Sequence, residues 1–232
     1  MNHKALFFDA GPIITLVMSR LIWILPHLKQ QFGGEFYITP AVHRELIERP
    51  LTVRRFQFEA LQVKKLVRDG VLRVYEKVPQ GKVTQLARLA NSSFSIQNKT
   101  MDVVQSGEME SIVAALQEKA QALVIDERTL RLFIESPLEM EKLLEMRFQK
   151  NVIPNRQRLQ EFSRQLQGIP IIRSIELVGA AFTLGLLDPY IPPEKKGREE
   201  LLSAVLWATK YNGCAVTDHE VDEMERFLLR KK

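Results

Sequence analysis

Residues 4–8 (Lys-Ala-Leu-Phe-Phe) are apolar after Lys4 and halt at Asp9-Ala-Gly-Pro, the pattern of a strand buried on both faces of a parallel sheet. Asp9 therefore stands at a strand's carboxyl end. Ile13, Leu16, Val17, Leu21, Ile24, Leu25 and Leu28 recur at helical spacing and predict a crossover helix that Gly33-Gly34 ends. Residues 36–38 predict a second short strand. Thr39-Pro40 supplies a hydroxyl N-cap and a proline at the first helical position, opening a helix over 41–48 that carries Glu45. Helical spacing returns over 51–68, Asp69-Gly70 turns the chain, and residues 71–78 alternate like a strand. A weaker helix is predicted over 82–90, whereas the polar, aperiodic stretch 91–100 reads as a surface loop. Ser106-Gly107 then opens a helix with Glu108, Ile112, Ala115 and Leu116 on one face. Residues 122–125 predict a further buried strand, stopped by Asp126.

Between Pro137 and Pro170 the pattern is helical twice, first through Leu138, Leu143, Leu144 and Phe148, then through Leu159, Phe162 and Leu166 after a break at Ile153-Pro154. This predicts a helical hairpin insertion over 137–168. Residues 169–175 are strand-like and 176–187 helical with small residues. A C-terminal helical extension over 198–232 is expected to hold two helices, the second opened by the capping box Thr217-Asp-His-Glu220. Strand followed by helix, several times over, predicts an α/β fold: a three-layer sandwich with a central, mainly parallel sheet flanked by helices. A single domain spanning 1–232 is expected, because one core of this size accommodates the chain.

Composition narrows the chemistry only a little. Thirty-three Lys and Arg against 28 Asp and Glu give a formal net charge of +5, which favours an anionic partner without identifying it. One cysteine, Cys214, excludes an intrachain disulfide, and His3, His27, His43 and His219 are too dispersed for a zinc cluster. Asp9 and Arg20 interrupt the N-terminal apolar runs, so neither a signal peptide nor a membrane association is expected, and a cytoplasmic location follows. A phosphate-binding loop and a Gly-x-Ser-x-Gly elbow are absent from the sequence. The opening Phe8-Asp9-Ala-Gly-Pro also lacks the second acid and the threonine that a haloacid-dehalogenase-type phosphatase needs, since Gly11 and Ile13 occupy those places.

Each acid by itself has an ordinary structural explanation: Asp9 a turn, Asp126 a cap, Glu45 an exposed helical side chain, and Glu108 a favourable charge at a helix N-terminus. Four segments taken in order change that picture. Phe7-Phe8-Asp9-Ala-Gly-Pro-Ile-Ile-Thr-Leu16, Tyr37-Ile-Thr-Pro-Ala-Val-His-Arg-Glu45-Leu, Ser106-Gly-Glu108-Met-Glu-Ser-Ile and Ala122-Leu-Val-Ile-Asp126-Glu-Arg-Thr-Leu-Arg131 together resemble the PIN-domain ribonucleases, in their Gly-Glu-x-Glu branch. The resemblance covers residues 4–48 and 70–131 and, loosely, 169–187. It implies four catalytic acids, Asp9, Glu45, Glu108 and Asp126, of which Asp9, Glu108 and Asp126 hold Mg²⁺ or Mn²⁺, with Thr39, Glu127 and Arg131 in support. Hard carboxylate oxygens suit those ions, and a cation relieves the repulsion between clustered acids.

A metal-dependent endoribonuclease is thus the expected activity, with RNA as partner. A catalytically silent nucleic-acid-binding or protein-interaction module on the same fold is the alternative. The resemblance also implies a toxin–antitoxin-like role with an antitoxin-like protein partner, or a homodimer, although the chain exceeds the compact toxin members in length. Departures from the family pattern are Glu127 in place of the second aspartate and Leu130 in place of alanine. Strand alternation puts Asp126 on the face of Ala122 and Val124 and Glu127 on that of Leu123 and Ile125, which favours Asp126 over Glu127 as fourth acid. Asp218 is explained by its capping box. Arg156, Arg158 and Arg164 lie in a basic stretch of the insertion, where a solvated face and an RNA-contacting surface are the two readings.

Overall fold

A computed structural model of the chain describes residues 4–166 and 168–230. It opens with β1 (Ala5–Phe8), α1 (Ala10–Met18), α2 (Ile24–Phe32) and β2 (Glu35–Ile38). Where periodicity predicts one crossover helix there are two, because Arg20 takes a left-handed conformation (φ 59°) and breaks the ladder between them. Next come α3 (Pro40–His43), a π-helical turn (Arg44–Glu48), α4 (Arg49–Leu51), α5 (Gln57–Arg68) and β3 (Leu72–Val74). The strand predicted over 71–78 is therefore limited to three residues. After it follow α6 (Gln80–Asn91), β4 (Phe94–Ile96), β5 (Lys99–Thr100), α7 (Ser106–Gln117), β6 (Ala122–Val124) and α8 (Arg128–Glu135). The remainder is α9 (Pro137–Phe148), β7 (Ile153–Pro154), α10 (Arg156–Leu166), β8 (Ile171–Ile172), α11 (Ser174–Thr183), α12 (Gly197–Tyr211) and α13 (Asp218–Arg230).

Five strands form one sheet in the order β3-β2-β1-β6-β8, and every neighbouring pair is parallel. Alternation along β1 divides the protein into layers: Leu6 and Phe8 join one apolar cluster, Ala5 and Phe7 another. The first cluster takes residues from α1, α2, α11, α12 and α13, including Leu16, Leu25, Val178, Leu202 and Val221. The second takes α6 to α10, including Leu86, Ile112, Phe133, Leu144 and Phe162. Helices thus cover both faces of a parallel sheet, the three-layer arrangement expected from the strand and helix alternation.

The stretch 91–100 is not a plain loop. It contains a hairpin whose two-residue turn, Gln97-Asn98, has positive φ at both positions (50° and 63°), the twist that suits a tight antiparallel connection. β7 pairs on the other side of β4, so a small antiparallel sheet, β5-β4-β7, joins this hairpin to the insertion. Strands of two or three residues are too short to show alternation in sequence. The insertion carries the two predicted helices, α9 and α10, with the chain between them paired to the hairpin; the Leu138 side chain lies outside the described residues.

Phe162 of α10 stacks on Phe133 of α8 at 4.4 Å between ring centroids, and both rings are fully buried. Phe162→Ala should lower the unfolding free energy by about 3–5 kcal/mol, the usual cost of an emptied aromatic core position. Chemical denaturation measures it, and a loss below about 1 kcal/mol would show that the insertion is not packed on the second core.

Candidate active site

The chain runs β1, β2, β3 in one direction and β6, β8 in the other, so the crevice between β1 and β6 is the point where strand order reverses. Ligands in open parallel sheets bind beyond the strands' carboxyl ends at that point. Asp9 follows β1, and its N–H donates to Val124 O at 3.0 Å, continuing the ladder. Asp126 follows β6 by two residues and is buried, as Asp9 is. Gly11 lies between them: a Cβ there would stand 3.6 Å from Asp126 Cβ and 3.8 Å from Asp9 Oδ2. Sequence alone predicted one edge for the two aspartates, and parallel pairing of adjacent strands brings them there.

Glu108 sits in the first turn of α7, where its carboxylate accepts from Gln105 N at 2.8 Å in a capping box. Glu45 is exposed at the start of the π-helical turn. A cleft of about 210 Å³ is lined by Asp9, Glu45 and Glu108 together with Arg44, Arg49 and Gln105. Burial pushes the Asp9 carboxyl up to about 6, reinforced by the charges of Glu45 and Asp126, while the Ala10 and Gly11 N–H groups pull the other way. Burial likewise pushes Glu108 up to about 7, with Asp9, Glu127 and Glu45 adding repulsion against the Gln105 N–H. Like charges held together out of water favour either a proton or a cation.

Asp126 is differently placed. Its Oδ1 accepts from Ser174 N and its Oδ2 from Ser174 Oγ, both at 2.7 Å, so its carboxylate is anchored to the start of α11. Cys214 lies against it, and burial with that neighbouring charge pushes the thiol up to about 12, which suits a packed side chain and not a nucleophile. Glu127 caps α8 by accepting from Leu130 N, yet its charge is felt by Glu108. Asp126 is thus bonded to the start of α11 and Glu127 to the start of α8, and their charges bear on different acids, Asp126 on Asp9 and Glu127 on Glu108. Among the described residues no three His, Cys, Asp or Glu side chains stand close enough to hold a metal ion as they lie. The donor set is nonetheless all carboxylate oxygen, the kind Mg²⁺ and Mn²⁺ take.

The supporting residues expected from sequence are distributed unevenly. Thr39 is buried and caps α3 by accepting from Val42 N at 3.4 Å. Arg131 pairs with Glu220 at 3.7 Å and Glu135 at 3.9 Å and does not reach an acid of the cleft. Arg156, Arg158 and Arg164 are exposed on α10 and none lines the cleft; Arg158 donates to Ser92 O at 3.0 Å. Asp218 pairs with Lys210, outside the site.

Two features do not follow from the sequence patterns. Glu110, buried, accepts from Ala41 N at 3.1 Å and ties α7 to the helix start that leads to Glu45. It stood in the Gly-Glu-x-Glu segment, so its position could have been singled out. Arg44 and Arg49 bring two guanidinium groups to the cleft because Arg49 N donates to Arg44 O across a π-helical turn, five residues apart. In a regular α-helix the ring of Pro50 would collide with the Leu46 carbonyl, and the wider turn relieves this. Pro50 was the only signal in the sequence.

A family model described as a PIN domain matches residues 5–136, more than half of the 232-residue chain. No curated protein and no solved structure matches the chain.

Because the folded-state pKa of Asp9 lies above its ordinary value, the stability it contributes is complete below pH about 4 and is lost as pH rises through about 6. In EDTA, Asp9→Asn should therefore match wild type near pH 4 and exceed its stability at pH 8 by up to about 3 kcal/mol. Urea unfolding at the two pH values reads the difference; a variant that is less stable at pH 8 would mean that Asp9 is already neutralised by a partner. Glu110→Ala should cost about 1–3 kcal/mol, because Ala41 N then loses its acceptor inside the fold, and the same measurement checks it.

Proposed function

Because the chain belongs to the PIN-domain family, whose fold is of the nuclease type, we propose that its acid cleft hydrolyses RNA phosphodiester bonds with Mg²⁺ or Mn²⁺ held by Asp9, Glu108 and Asp126. The observation that carries this reading is the pairing of Asp9 and Glu108, both pushed toward neutral pKa values in one cleft that two arginines also line. A carboxylate pair kept out of water needs a counter-charge, and a divalent cation supplies it together with Lewis-acid activation of water and of the phosphodiester.

The chain's own residues then have separable roles. Arg44 and Arg49 bind non-bridging phosphate oxygens and draw an anionic backbone into a cleft that its acids alone would repel. Glu45, exposed at the mouth, takes the proton of the attacking water on its carboxylate, while the leaving oxygen departs in line on the far side of phosphorus. Glu127, near Glu108, adds to the negative potential that attracts the cation. Ser174 holds Asp126 in one orientation through two hydrogen bonds. No helix among the described residues is long and apolar enough to cross a membrane.

A catalytically silent module is favoured by one observation: both Asp126 oxygens already accept bonds from Ser174, and the acids do not close on a common point. The remaining lone pairs on each carboxylate oxygen leave room for a further partner, which supports the active reading.

RNA incubated with Mg²⁺, Mn²⁺ or EDTA separates the two. Cleavage is expected with either ion, none in EDTA, and a loss of at least about 100-fold in Asp9→Asn. Cleavage that persists in EDTA or in that variant excludes the mechanism, and a chain that binds RNA but cleaves no substrate is the silent module. Arg44→Ala with Arg49→Ala should weaken RNA binding and reduce the slope of log affinity against log salt by about one to two, whereas Arg156→Ala with Arg158→Ala should change both less.

A further inference from the structure

The segment that leads from α4 into α5 leaves several large apolar side chains in solvent. Val53, Phe56 and Phe58 are 45%, 39% and 71% exposed, and Phe58 is the most exposed phenylalanine among the described residues. Single apolar side chains at a surface are ordinary, but here three of them fall between positions 53 and 58, interleaved with Arg54 and Arg55. Both arginines are exposed, and neither forms an ion pair among the described residues. Arg55 instead lies over the Phe56 ring, 5.4 Å from its centroid. Arg54-Arg-Phe-Gln-Phe58 therefore presents aromatic surface and unneutralised positive charge side by side.

The chain itself sets how far this surface stands from the acids. Arg49 lines the acid cleft, and the stretch from it to Arg54 spans at most about 18 Å even when fully extended. The actual path is shorter, because residues 49–51 are helical and Gln57 Nε2 donates to Leu51 O at 2.9 Å, holding the start of α5 against α4. A polyanion bound by Arg44 and Arg49 is thus within a short run of nucleotides of Arg54, Arg55 and Phe58.

We propose that residues 54–58 form a stacking platform for single-stranded RNA beside the acid cleft, with one unpaired base on the Phe58 ring and neighbouring phosphates on Arg54 and Arg55. This rests on the nuclease reading of the cleft. The occupant follows from the chemistry of the surface: every base has a π face that an exposed aromatic ring can take whatever the sequence, and guanidinium groups beside the ring take phosphate oxygens. A duplex keeps its bases stacked on one another and offers the ring nothing. An apolar protein surface would desolvate two guanidinium groups without pairing them.

Fluorescence anisotropy with a labelled oligouridylate of about 12 nucleotides, in EDTA, reads the platform without any cleavage. Phe58→Ala should weaken binding about tenfold and leave the slope of log affinity against log salt unchanged, since stacking releases no counterions. Phe58→Tyr keeps a flat ring and should bind nearly as wild type does, whereas Phe58→Leu should behave as Phe58→Ala. Arg54→Ala with Arg55→Ala should lower the salt slope by about 1.4, the share of two phosphates on a single strand. An abasic strand of the same length and an RNA duplex should bind wild type and Phe58→Ala alike, which also shows that the variant is folded. Undiminished binding of the oligouridylate by Phe58→Ala, full binding by Phe58→Leu, an equal loss on the abasic strand, or no binding by wild type overturns the proposal. Metal-dependent cleavage with undiminished binding by Phe58→Ala keeps the nuclease reading and removes the platform; Phe58-dependent binding without cleavage does the reverse. Sedimentation gives the remaining arm: a dimer that Phe58→Ala dissociates means that a second copy of the chain covers this surface, and the proposal is wrong.

Discussion

An ionised carboxylate has to be kept at the sheet's edge, nearly out of water, and the surrounding structure is arranged around that cost. Asp9 is 7% exposed and held where β1 ends, so its proton affinity rises toward neutrality. Its position follows from the backbone: the Asp9 N–H extends the β1–β6 ladder by one bond, which fixes where the side chain leaves the sheet. The same ladder sets the level of Asp126. Short strands suffice because each is covered on both faces by helices, and a shift of one residue would move Phe7 and Phe8 into each other's layer.

Glu45 and Glu108 are brought to the same cleft by contacts between helices that neither strand pairing nor helix propensity would supply. Glu110 reaches from α7 to Ala41 N and holds the α7 start, with Glu108, against the helical segment that bears Glu45. Pro50 forces the wider turn that carries Arg44 and Arg49 to the same cleft. The cleft thus combines a cation-attracting floor with two cations of its own. That combination of acids and guanidinium groups is what the proposed phosphodiester substrate would call for.

The far end of the chain closes the site from behind. Ser174, at the start of α11, fixes both oxygens of Asp126, and Ala215 N donates to the Asp126 carbonyl at 3.1 Å from the segment between α12 and α13. A second network joins Arg173 to Glu176 and to Glu220, which the guanidinium and the Thr217 N–H hold at about 2, well below the usual carboxylate range. Residues well outside the matched segment 5–136 therefore orient an acid inside it.

By itself the sequence determined the layered α/β fold, the strand that ends at Asp9, the buried run that closes just before Asp126, the N-caps at Thr39 and Thr217, and the helix that starts beside Glu108. Each of these is written in local terms: an apolar run that stops, a hydroxyl before a helix, a glutamate three residues after a cap. Arg20, the 97–98 hairpin and the short β3 were not legible, since a left-handed residue or a three-residue strand leaves no periodicity to read. Tertiary structure alone decided that Asp126 turns to Ser174, that Glu127 approaches Glu108, that Arg131 joins Glu220 instead of the cleft, and that Arg44 and Arg49 enter it. Those outcomes depend on which side chains from distant segments come within hydrogen-bond reach, and pattern along one chain carries no distance between segments.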